Sequence, residues 1–261
     1  MTHARGVLAA VVLVLLVGTA ATLLLVHHDP APDPAPDPAP DPALGRAAAS
    51  GQCRTPVLTT WVDRTWRSQG YVVDQDLWNN HAGTQVLRIC SYRSWTVTAT
   101  QPDTAEDPDV NSYPDVWRAF PASRLDSFSE ITSRFATHGP GTGVYDFTYD
   151  VWIDGIADDH ATEVMVWTGN HGNQPHIPRR GTMTSEGVTY DVYRAGRFIA
   201  FVAPPRDRGR VDLLVLFRYA ESRGWLAGSS TIHRIEFGVE IAQTGGRPLD
   251  FAVTDYDLTT R

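Results

Sequence analysis

The chain has 261 residues, a formal net charge of −8 and an aromatic content of 10%. Four of the negative charges, Asp29, Asp33, Asp37 and Asp41, lie near the N-terminus, and nothing in the balance resembles the basic surface that nucleic acid requires. Residues 51–261 are rich in Trp, Tyr, Thr and Val and have the size of one all-β domain.

Residues 1–28 read as an N-terminal membrane anchor or signal segment. Within them, residues 7–26 carry no charged side chain, a run long enough to cross a bilayer core of about 30 Å. A cleavable signal has an apolar centre of about 7 to 15 residues followed by a small-residue site. Here the small cluster Gly18-Thr19-Ala20-Ala21 lies inside the run, with Leu23 to Val26 still to follow. The reading is therefore an uncleaved single-pass anchor, with secretion after cleavage as the alternative. Arg5 before the run and Asp29 and Asp33 after it place the N-terminus in the cytoplasm and the remainder outside. Residues 29–50 read as an Asp/Pro/Ala-rich linker. The Asp-Pro-Ala-Pro repeat from Asp29 to Pro42 favours extended polyproline structure, and at about 3.1 Å per residue it reaches on the order of 40 Å. The only cysteines, Cys53 and Cys90, both follow the apolar run. An oxidising compartment lets them pair, the alternative being two free buried thiols.

Along the domain, strand-like stretches are Gly70–Val73, Val86–Cys90, Trp95–Thr100, Tyr145–Ile153, Thr162–Trp167, Tyr190–Tyr193, Phe198–Val202 and Ile232–Ile241. Eight strands between Gly, Pro, Asn and Asp clusters predict a sandwich or barrel. One segment, Val211 to Ala220, has helical spacing and predicts a helix on the sandwich exterior, its ends near Gly209 and Gly224.

Two strands carry a carboxylate in an unusual setting. In Thr162 to Trp167, Val164 and Val166 share the core face and Glu163 shares the other with Met165 and Trp167; in Ile235 to Ile241, Phe237 and Val239 point inward and Glu240 outward. A carboxylate between Met and Trp suits a groove that holds something flat and half-apolar, such as a sugar ring. Two such carboxylates are what a glycosidase needs; the alternative is two unrelated exposed glutamates. In Tyr145 to Ile153, Asp146, Thr148, Asp150 and Trp152 share the face opposite Tyr145, Phe147, Tyr149, Val151 and Ile153. If that strand neighbours the Glu163 strand, Asp150 reaches the Glu163 carboxylate and controls its protonation; otherwise it faces solvent.

These residues resemble glycoside hydrolase family 12, the small jelly-roll endo-β-1,4-glucanases and xyloglucanases. The resemblance rests on Tyr149-Asp150-Val151-Trp152, on Glu163-Val164-Met165-Val166-Trp167, on the single helix from about Val211, and on Gly238-Val239-Glu240. It implies an all-β jelly-roll β-sandwich of two antiparallel sheets with one packed helix. It further implies that Glu163 is the nucleophile, Glu240 the general acid/base, Asp150 the partner of the nucleophile, and Trp78 a sugar-stacking tryptophan. A disulfide tying an N-terminal strand to its neighbour fits the same family. The chain departs from the pattern at Gln75 and Asp76, where the family has two asparagines, and at Ile241-Ala242-Gln243, where it has proline and an aromatic residue.

The implied activity is retaining hydrolysis of internal β-1,4 bonds in cellulose-like glucans or xyloglucan, with carboxyl groups about 5 to 5.5 Å apart. Trp78 and Trp152 are expected to stack on sugar, and Met165 to floor the groove. Trp167 packs in the sheet or binds, and Asn170 and His171 are candidates for sugar hydroxyls. No cofactor or metal is expected, since His171 and His176 lack a third ligand. Ser127 and Ser129 lack a nucleophile elbow, and the Arg179-Arg180 and Arg206 to Arg210 clusters read as solvated loops. The partner is a β-glucan polysaccharide met by a monomer. A carbohydrate-binding jelly roll without turnover, and a structural cell-surface domain, are the alternatives.

Overall fold

Alternation of apolar and polar residues carries most of this chain into strands, and the computed structural model describes residues 53–79, 83–102 and 109–261. The expected anchor (1–28) and linker (29–50) lie outside the described residues. Among the described residues, no helix is long and apolar enough to cross a membrane.

In chain order the strands are β1 (Leu58–Thr60), β2 (Thr65–Ser68), β3 (Tyr71–Asp74), β4 (Thr84–Ser91), β5 (Ser94–Thr100), β6 (Asp115–Arg124), β7 (Ile131–His138) and β8 (Val144–Ile153). They continue as β9 (Thr162–His171), β10 (Arg179–Ser185), β11 (Val188–Ala195), β12 (Phe198–Val202) and β13 (Arg208–Asp212), then helix α1 (Leu213–Ser222), β14 (Thr231–Gln243) and β15 (Leu249–Thr260). Two sheets form the expected jelly-roll sandwich. One has six strands in the order β1-β4-β5-β15-β7-β13, and the other nine in the order β10-β11-β12-β9-β8-β14-β6-β3-β2. The sheets are antiparallel as expected save for one pair: β12 runs parallel to β9, with Phe198 opposite Glu163 and Val202 opposite Trp167. Residues 172–178 carry the chain back along the sheet before the β10–β11 hairpin, so that β12 starts at the end where β9 started, which is what a parallel neighbour requires.

Between the sheets lies one continuous core. Phe135 and Tyr256 from the six-stranded sheet meet Tyr149 and Phe237 from the nine-stranded one, Phe237 stacking on Tyr256 at 5.4 Å between ring centres. Fully burying a side chain of this size contributes about 1.5–3 kcal/mol. The Tyr149 hydroxyl finds its partner across the sandwich, donating to Ser133 at 2.9 Å. Gln75, one of the departures from the family pattern, joins the sheets in the same way: its amide donates to the Thr60 and Gln85 carbonyls, and Gln85 donates back to the Gln75 carbonyl at 2.9 Å. Gln75 thus belongs to the interior.

The disulfide forms as expected, joining Cys53 to Cys90 in β4 with 5.3 Å between Cα atoms. The predicted helix is present but begins two residues later. Val211 belongs to β13, whose last residue, Asp212, caps α1 by accepting the Val215 amide at 3.1 Å, a contribution of about 1 kcal/mol. Its buried stripe is Leu213, Leu216, Phe217 and Ala220, whereas Val215 is 40% exposed. The stripe merges with the main core.

Candidate active site

The nine-stranded sheet turns one face to the core and the other to a cleft, and period 2 decides which residues each receives. Along β14, Ile235, Phe237, Val239 and Ile241 are buried in the core while Arg234, Glu236 and Glu240 take the other face. Register then sets neighbours. Glu240 lies opposite Asp146 and Glu236 opposite Asp150 on β8, while Trp152 lies opposite Glu163 and Asp150 opposite Met165 on β9. Gly238 is needed in this strand, because a Cβ there would collide with the Pro114 carbonyl and with Asp115 where the chain enters β6.

The resulting cleft has a volume of about 460 Å³ and is lined by Glu163, Glu240, Asp150, Trp78 and Trp152 together with Asp76, Tyr113, Ile156, Ala157, Arg234 and Glu236. Five of the sequence-predicted site residues therefore open on one space. Trp78 is 64% exposed, free to offer its ring face at the cleft wall. The turn that carries it passes through Asp76 at φ 33°, a left-handed conformation that aspartate tolerates better than most residues. Asp76, the second departure from the family pattern, lines the cleft itself, and burial followed by the charge of Asp74 pushes its carboxyl up to about 6. Ile241, third of the departures, points inward and is fully buried.

Three expected contacts fall elsewhere. Met165 is buried with Trp167 and Ala200 in a small apolar cluster backed by Tyr193, Phe198 and Val202, so it supports the strand beside Glu163 rather than flooring the cleft. Asn170 donates its side-chain amide to the Asn173 carbonyl at 2.6 Å and does not line the cleft. His171 is likewise held within the fold, its Nδ1 at 2.7 Å from the Gly143 carbonyl and its ring stacked on Tyr145.

Carboxyl groups dominate the electrostatics. Burial pushes Glu163 up to about 7. Asp150 is driven well above the usual carboxylate range by burial first and by the charge of Glu163 second, and its Oδ1 has no hydrogen-bond partner in the fold. Glu240 is also raised well above that range, by burial and then by Asp146, with Asp150 and Glu163 adding further. A carboxylic acid that keeps its proton near neutrality can protonate a leaving group, while a second carboxyl that ionises more easily can attack. Glu163 and Glu240 both line the cleft, where such a pair can act.

Residues that sequence reasoning did not single out complete the site. Glu236 is raised to about 7 by burial and is bound by Arg234 at 2.9 Å, and Arg234 also lies over the Trp117 ring at 4.3 Å. Tyr113 donates its hydroxyl to the Thr148 carbonyl at 3.1 Å beside the carboxyl groups. The signal for Glu236 was the same alternation that exposes Glu240. Nothing in the sequence marks Tyr113, which precedes its strand.

Known structures share this architecture. The xyloglucanase domain of NopAA, a type three effector from Sinorhizobium fredii solved with cellobiose, is 22% identical with a TM-score of 0.70, covering 79% of this chain and 100% of that one. A family 12 xyloglucanase from Bacillus licheniformis is 18% identical at TM-score 0.67, covering 78% and 100%. Endoglucanase 3 from Trichoderma harzianum is 20% identical at TM-score 0.70, covering 78% and 97%. No curated protein sequence matches the chain. The sequence pattern of glycosyl hydrolase family 12 matches residues 69–259, so that pattern, the jelly roll and the paired carboxyls agree: the chain belongs to glycosyl hydrolase family 12.

Proposed function

We propose that the cleft cuts internal β-1,4-glucosidic bonds of cellulose-like glucans or xyloglucan with retention of anomeric configuration. Glu163 attacks the anomeric carbon while Glu240 protonates the departing oxygen; Glu240 then takes a proton from the water that releases the glycosyl-enzyme. Asp150, on the same face as Glu163, restrains the charge of the nucleophile until substrate displaces water. Trp78 and Trp152 carry the sugar rings, each stacked ring contributing on the order of 1 kcal/mol beyond its buried area. The observation that carries this reading is the shared cleft, in which Glu163, Glu240 and Asp150 meet two tryptophans.

The setting of the enzyme is part of the proposal. Residues 7–26 anchor the domain at the cell membrane or direct its secretion, residues 29–50 hold it clear of the surface, and it acts as a monomer. The Cys53–Cys90 disulfide fits an oxidising exterior.

Reducing-sugar release from carboxymethylcellulose, xyloglucan and mixed-linkage glucan, compared with Glu163→Gln, tests the assignment. Proton NMR of the first product should show the β-anomer. Full activity in Glu163→Gln would end the nucleophile assignment, and binding without release by the natural chain would select a carbohydrate-binding module.

A further inference from the structure

Asp146 is fully buried on β8, directly opposite Glu240 in the β8–β14 ladder. Its Oδ1 accepts the Asn173 side-chain amide at 2.5 Å, and Asn173 is itself held through its carbonyl by Asn170, which lies opposite Asp146 on β9. The other oxygen, Oδ2, is buried with no donor from the protein. A fully buried carboxyl oxygen without a donor is costly. Two carboxylates in contact offer no hydrogen between them, so Oδ2 is satisfied only when one proton lies between it and the Glu240 carboxyl.

We propose that Asp146 is a positioning residue for the acid/base: Asp146 and Glu240 share one proton between Oδ2 and the Glu240 carboxyl, with Asn173 fixing the far oxygen of Asp146. This deepens the proposed function and rests on the role of Glu240 given there. The groups facing Glu240 are Asp146 and Asp150 from β8, Glu163 from β9 and the Tyr113 phenol from the segment entering β6. All are acidic, and burial with the Asp146 charge keeps the Glu240 proton in place. When Glu240 gives that proton to the departing oxygen it becomes a carboxylate beside Asp146. At the same step Glu163 loses its charge by bonding to the sugar, so the net charge of the site is conserved. The repulsion left between Glu240 and Asp146 makes Glu240 a stronger base towards the incoming water, whose proton restores the pair.

The test reads ionisation rather than turnover. In Glu163→Gln protein carrying ¹³C-labelled glutamate and aspartate carboxyls, the Glu240 signal should titrate well above the ordinary carboxylate range. Adding Asp146→Asn should lower that midpoint by about 1 to 3 pH units. An unmoved midpoint in the folded double variant overturns the proposal. Should the double variant not fold, the single variant decides: the Asp146 carboxyl must show a second inflection at the Glu240 midpoint, and independent titration of the two overturns it. Kinetically, Asp146→Asn should alter the alkaline side of the kcat/KM profile on glucan but not on a dinitrophenyl cellobioside, whose leaving group needs no proton. Equal responses on both substrates would show a merely structural role. If glucan were not hydrolysed at all, the proposed function would fail while the shared proton remained measurable.

Discussion

Two sets of aspartates and glutamates occupy the outer faces of the two sheets, and they are treated in opposite ways. On the six-stranded sheet, Asp255 lies between Arg93 at 2.7 Å and Arg134 at 2.8 Å; burial is the largest single influence and raises its carboxyl, but the hydrogen bonds and charges of the two guanidiniums together hold it below the usual range. Glu130 nearby pairs with Arg210 and Arg261. In the cleft of the nine-stranded sheet, Arg234 is bound to Glu236, while burial pushes Glu163 up and burial with like charges pushes Asp150 and Glu240 up. The same residue types are thus settled by cations on one face and left strained by one another on the other. Carboxyls on the six-stranded sheet are neutralised by guanidiniums; those in the cleft keep their protons to higher pH than a solvated carboxyl does.

The sharpest break of this comparison is Glu163→Gln, expected to remove hydrolysis by several orders of magnitude while leaving the fold and glucan binding intact, as read by reducing-sugar release and affinity electrophoresis. Glu240→Gln should lower kcat on glucan by about 10²–10⁴-fold. With an activated aryl cellobioside it should spare formation of the covalent intermediate, which burst kinetics would show. A loss equal for both substrates would contradict the acid role.

Stability against pH separates the two faces next. Carboxyls raised to about 7, Glu163 in the cleft and Asp146 buried behind Glu240, bind protons in the folded state that the unfolded chain has already released. Folding stability must therefore fall as pH rises from about 4 to 7, and Glu163→Gln or Asp146→Asn should flatten that slope in thermal melts. Asp255 has the opposite sign: its depressed folded value supplies stability above the unfolded value, lost as pH falls through the folded one. Asp255→Ala should lower stability by at most about 1 kcal/mol, since its pairs are partly solvated, without changing kcat. Between these effects lies Trp78→Ala, expected to raise KM roughly fivefold, equivalent to about 1 kcal/mol of lost stacking, with stability unaltered.

How much of this was legible in the sequence depended on whether local pattern or tertiary register carried the information. β8 and β9 could be read because every second residue differs sharply in polarity. β15 escaped because a bulge between Val253 and Asp255 changes the parity, moving the inward set from Phe251 and Val253 to Tyr256 and Leu258. β7 escaped because Ser133 stands at an inward position, where its hydroxyl donates to the Asp257 carbonyl and receives the Tyr149 hydroxyl, so that a core residue looks polar. Asp212 marks the start of α1 by its side chain rather than by hydrophobic spacing. Glu163, Glu240 and Asp150 were legible as residues on one face of their strands. That Glu240 stands opposite Asp146 was not, because pairing between segments almost a hundred positions apart is set by the sheet and not by either strand alone.

The disulfide has a mechanical consequence. Cys53 is bonded to Cys90 in β4, next to β1 and β5 in the six-stranded sheet. Any pull applied through the chain before Cys53 passes directly into that strand, bypassing β1 and the turns behind it. The load is then borne by the β4 ladder as shear, on the sheet that does not hold the cleft. A hydrolase held through that end of its chain would take the pull of the tether on β4 rather than on β8, β9 or β14, which carry Asp150, Glu163 and Glu240.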